Sequence, residues 1–90
     1  MSPVVERHSF RHALHFLLEH NLLTPTLAAA LEHTIRALQA HPTHCDAVLG
    51  PQLLRVVRTD RHEKPPLILL YTVGAQDEII LEDLILKKEL

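Results

Sequence analysis

Ninety residues, 10.2 kDa and 47% apolar content describe one compact domain spanning residues 1–90, with no chain to spare for a second core. Eighteen Leu against three aromatic residues demand an aliphatic core, and a chain this apolar is neither disordered nor of low complexity. A formal charge of -2 excludes a strongly basic surface for polyanions, and apolar runs such as Leu67 to Tyr71 fall far short of the roughly 20 residues of a spanning helix.

Cys45 stands alone, so no internal disulfide forms, and a reducing cytoplasm is the expected compartment. No basic start followed by an apolar stretch marks a secretory signal. Pro3 to His8 is read as a short edge strand. A first helix is expected from a Ser9 cap, with Phe10, Ala13, Leu14, Leu17 and Leu18 on its buried face and Asn21 as its stop. Thr24 caps a second helix, and Pro25 takes the first helical position, where its missing amide costs nothing. Leu27, Leu31, Thr34, Ile35 and Leu38 form its apolar stripe; Glu32 and Arg36 pair outside, and Pro42 ends it near His41.

Gly50-Pro51 marks a turn, after which the apolar spacing becomes strand-like. Leu53 to Thr59 is the first strand, followed by a polar loop containing Pro65-Pro66. Leu67 to Val73 is apolar almost throughout, the pattern of a central strand covered on both faces. Gly74 to Asp77 connects it to a last strand, Glu78 to Leu86. There the adjacent Glu82 and Asp83 place one carboxylate towards each face and favour one wet face. The order β-α-α-β-β-β predicts an α+β domain: an antiparallel helical hairpin on one face of a three- to four-stranded antiparallel meander, its other face wet and lightly cationic.

This element order, with Val48-Leu49-Gly50, the Leu53 to Arg58 strand, Leu67 to Val73, Glu78 to Leu81 and the closing Leu84 to Lys88, resembles the RelE/ParE superfamily of toxins from type II toxin–antitoxin pairs. The resemblance spans nearly all the chain. It implies a cytoplasmic bacterial protein that binds a macromolecular target, gyrase or the translation machinery, and is neutralised by an antitoxin protein. Arg55, Arg58, Lys87 and Lys88 match basic positions of the family, whereas Ile68 stands where its ribonuclease branch carries Arg, and no C-terminal Tyr or His closes this chain. Binding-type action therefore ranks above cleavage of messenger RNA.

Were RNA cleavage retained, Arg61, His62, Tyr71 and Lys88 are the candidates for proton transfer and phosphate stabilisation, His62 alone titrating near neutral pH. Arg55, Arg58, Arg61, Lys64, Lys87 and Lys88 are the candidate target-binding cations, on the open sheet face or its loop. Seven acidic groups from Asp60 onward oppose those six cations, so a nucleic acid or ribosome finds little net attraction. His12, His15 and Glu19, with His8, recur at helical spacing, and His41, His44 and Cys45 cluster after the second helix. Either group offers ligands for a metal, although a solvated helix face and a buried thiol are the ordinary readings, and no cofactor is expected. Phe16 with His20 widens the apolar surface of the first helix, which suits a peptide partner or a second copy. The alternative to a toxin is thus a non-catalytic homodimeric adaptor, paired through a helix face or a sheet edge.

Overall fold

The computed structural model describes residues 2–59 and 67–86, which form an α+β domain. Strand β1 (Val4–Glu6) leads into helices α1 (His8–Glu19) and α2 (Pro25–Ala40), then strands β2 (Ala47–Leu49), β3 (Leu54–Arg58), β4 (Leu67–Val73) and β5 (Ile79–Leu86). The five strands make one sheet in the order β1-β5-β4-β3-β2. Strands β2 to β5 pair antiparallel, whereas β1 lies parallel to β5, so the sheet is mixed and not wholly antiparallel. The reason is topological: the helical hairpin separates β1 from the meander, and the chain returns beside β1 only with its last strand. Ile79 N donates to Pro3 O at 2.8 Å and Arg7 N to Leu81 O at 2.9 Å, closing that seam.

The second helix follows its local chemistry. Thr24 Oγ1 accepts from Leu27 N at 3.2 Å, Pro25 follows, and Arg36 donates to Glu32 at 2.6 Å. The first helix departs from expectation. It begins at His8 behind Arg7, with no side-chain cap, so Ser9 lies inside it. Leu18 is 54% exposed, because Phe10 and Leu17 alone of its face are fully buried and α1 meets β5 along a narrow stripe.

Alternation in the strands places the core. Leu67, Leu69 and Tyr71 of β4 share a face with Ile79, Leu81 and Leu84 of β5 and Val57 of β3, all buried beneath the helices. Preserving that match along β5 requires an extra residue. Leu70 pairs with Asp83 but Tyr71 with Leu81, so Glu82 is bulged out, and the two carboxylates do not simply alternate between faces. Arg7 Nε lies 3.6 Å from Glu82 Oε1, and Thr72 Oγ1 donates to Glu82 Oε2 at 2.7 Å, which holds the bulge.

Strand β2 was not expected from the sequence. Asp46 starts it, accepting Arg58 N on its carboxylate at 2.8 Å and donating its own amide to Val56 O at 2.8 Å. Gly50 at φ 70° and Leu53 at φ 55° then turn the chain into β3.

Candidate functional site

The sheet has two faces, and the helices cover only one. The uncovered face is built row by row from strand pairing: Arg58, Ile68 and Ile85; then Ala47, Val56, Leu70 and Asp83; then Thr72, Ile80 and Val5; with Leu54 and Leu49 at the β3–β2 edge. Its centre is aliphatic apart from Asp83, which stands in register with Leu70. Ile68, Leu70, Val56 and Ile80 are each half-buried by their neighbours alone, while Ile85 at 43% and Leu49 at 53% are exposed. Arg58, in register on β3, and Glu82 of β5, held by Thr72 of β4, stand on opposite sides of this centre. One face of the sheet is thus open, as expected, but among the described residues it is mostly aliphatic, with Arg58 set against Glu82 and Asp83, so its expected cationic character is corrected. The physical cause lies in β4, whose apolar run supplies aliphatic side chains to both faces while this chain packs helices against one.

The basic and catalytic candidates do not converge on that face. Arg55 pairs with Tyr71 on the helix side of the sheet, three residues and hence one face away from Arg58. Its Nη1 donates to Thr43 O at 3.4 Å and lies 3.5 Å from Cys45 Sγ. Tyr71 is fully buried and donates its hydroxyl to Pro42 O at 2.9 Å. Burial pushes the Tyr71 phenol well above its ordinary range; Cys45 and Asp46 add to the rise, and Arg55 opposes it. A phenol so held keeps its proton and serves no base. Arg55 and Tyr71 thus fasten the segment between α2 and β2, and the expectation that they share the open face is overturned. Arg61, His62, Lys64, Lys87 and Lys88 lie outside the described residues.

The histidines take surface positions. His15 Nε2 lies 2.8 Å from Glu19 Oε1, and the His8 and His12 rings stand 6.2 Å apart on the exposed face of α1. His41, His44 and half-buried Cys45 line a surface cavity of about 370 Å³ with His33, Asp46 and Arg58. Among the described residues, no three His, Cys, Asp or Glu side chains come together as a metal-binding group. Phe16 and His20 stack tilted at 4.3 Å beside a shallow groove lined by Leu22 and Ile85.

Comparison with known proteins adds no relative: no family model, curated protein or solved structure matches this chain. Sequence reasoning missed the aliphatic face as a site, although its signal was present. The pairs Val56-Val57, Ile68-Leu69 and Ile79-Ile80 each give one side chain to either face of the sheet.

Proposed function

We propose that this chain is a RelE/ParE-like toxin-type protein that acts by binding another protein and is silenced by an antitoxin. A strand, a helical hairpin and an antiparallel meander in that order support the family reading, since this is the plan that the resemblance implies. The observation that carries binding over cleavage is the mostly aliphatic sheet face, which suits a protein surface and, with Arg58 set against Glu82 and Asp83, offers a polyphosphate chain no net attraction. The withdrawal of Arg55 and Tyr71 to the helix side points the same way, because it removes two of the groups that RNA chemistry was expected to use. A gyrase-type or other protein target is accordingly favoured over messenger RNA.

Induced expression, with and without the protein encoded next to it, tests this reading. Growth arrest relieved by the neighbour, and a complex between the two, is the expected result. Leu70→Arg abolishes the arrest, whereas the double substitution Arg61→Ala, His62→Ala leaves it intact. No arrest and no complex, or arrest that survives Leu70→Arg but not the double substitution, contradicts the proposal.

A further inference from the structure

Strand β5 has an open edge that β1 does not fill. The parallel seam with β1 ends where Arg7 N donates to Leu81 O at 2.9 Å, and α1 then carries the chain off the sheet. From Asp83 to Leu86, β5 pairs with β4 alone among the described residues. Which main-chain groups face that edge follows from the neighbouring strands. Thr59 N donates to Leu67 O at 2.9 Å, so Leu67 and, in alternation, Leu69 turn their main-chain groups towards β3. Their partners in register, Leu86 and Leu84, accordingly turn theirs away from β4 and out of the sheet. Leu84 N agrees, because it donates at 2.8 Å to the Asp83 carboxylate and not to a strand. An acidic side chain folded over an edge amide keeps an open strand from pairing indiscriminately.

The edge opens into a groove. Beside Asp83 lies a surface cavity of about 370 Å³ walled by His8 and His12. Beside Leu84 to Leu86 lies one of about 380 Å³ walled by Phe16, Leu17 and Leu22. The two share His12 and Ala13, so they form one trough between α1 and the open edge, in line with the seam that β1 already makes with β5. At about 3.3 Å per residue, Asp83 to Leu86 give it a length of about 13 Å, room for four extended residues. Main-chain groups in strand spacing ask for an occupant with an unpaired main chain. The wall of Phe16, Leu17 and Leu22 asks for apolar side chains at alternate positions of that occupant. A second copy does not answer this description. Two β5 edges paired antiparallel would set both α1 helices on one side of the joint, where strands about 4.8 Å apart leave less than the roughly 8–10 Å that two helix axes need. A segment free on both sides meets no such obstacle.

We infer that the open edge of β5 from Asp83 to Leu86, guarded by the Asp83 carboxylate, takes up an extended apolar segment of another polypeptide as an added strand beside α1. The site is separate from the uncovered sheet face and stands without the reading proposed for that face. Amide-resolved NMR on the full, isotope-labelled chain tests it, with a synthetic peptide of alternating Val and Thr as the probe. The Leu84 and Leu86 amide signals are expected to shift, and the Leu86 amide to exchange with solvent about tenfold more slowly. Asp83→Ala is expected to tighten peptide binding by about tenfold, because no carboxylate competes for the Leu84 amide. Phe16→Asp, at a half-exposed position of the trough wall, should weaken binding by about tenfold without loss of fold. Leu49→Lys on the uncovered face and Val48→Lys on the β2 edge should change it by less than about threefold. Unshifted Leu84 and Leu86 signals overturn the inference, as does equal binding of the same peptide fully N-methylated. Binding lost through Leu49→Lys or Val48→Lys and kept in Phe16→Asp places the peptide elsewhere and overturns it too. Leu84 and Leu86 signals that move with protein concentration alone give the edge to a second copy, which also contradicts it. If those signals stay unshifted while Leu70→Arg still abolishes growth arrest, the edge site alone fails.

Discussion

Tyr71 is the sole tyrosine of the sequence, so its ionisation can be followed without interference from another phenol. In the unfolded chain it loses its proton near pH 10. In the folded chain, burial first and then Cys45 and Asp46 hold the proton to higher pH. Above about pH 10 the folded state therefore binds more protons than the unfolded state, and stability falls as pH rises. Ultraviolet titration should show tyrosinate absorbance appearing together with loss of the helical circular dichroism signal, not before it. Tyr71→Phe should cost about 1 kcal/mol at neutral pH, through the bond lost to Pro42 O, and should flatten the alkaline decline. Tyrosinate absorbance near pH 10 in the folded protein would contradict this environment. Leu53 carries a different burden. It sits at φ 55° in the turn after Gly50, a region that a Cβ disfavours, and its side chain is exposed. Leu53→Gly should therefore raise the urea midpoint, by about 0.5 kcal/mol or more in stability, despite the greater entropy of the unfolded chain.

Strand β4 shows at the level of an element how one sequence pattern serves two surfaces. Leu69 is fully buried under the helices and Leu70, next to it, faces the uncovered side. Leu69→Ala should destabilise the fold by about 2–5 kcal/mol, and Leu70→Ala by less than about 1 kcal/mol in dilute solution, measured by urea unfolding. Equal costs would mean that both faces are covered within one chain. The strand itself was legible from Leu67 to Val73 to the residue, because its composition leaves no other element plausible. Helix α2 was equally legible, since Thr24, Pro25 and Pro42 punctuate it at both ends. The start of α1 was not: Arg7 replaces the expected Ser9 cap because β1 pairs with β5 as far as Glu6 and delivers the chain straight into the helix. Strand β2 escaped notice because three residues carry no period, and its identity depends on the partner β3 and on the Asp46 carboxylate. The Glu82 bulge was hidden likewise, as a shift of register exists only between two strands.

For the whole molecule, the almost wholly apolar β4 suggested cover on both sides, and the helices supply it on one. The fold class and the helix-covered face followed from periodicity within the chain. The nature of the other face did not, because cations in a sequence do not announce which side of a sheet they take. Arg55 and Arg58 look like a pair and lie on opposite faces, since an odd spacing along a strand separates them. The role proposed for the aliphatic face is contact with another protein. Methyl-labelled NMR in the presence of a neutral soluble gadolinium chelate tests it directly, residue by residue. In complex with the partner encoded beside it, the methyl signals of Ile68, Leu70 and Ile80 should be shielded from the chelate, while those of Leu18 and Leu53 remain fully broadened. Ile68, Leu70 and Ile80 broadened as strongly with the partner present as without it would contradict it.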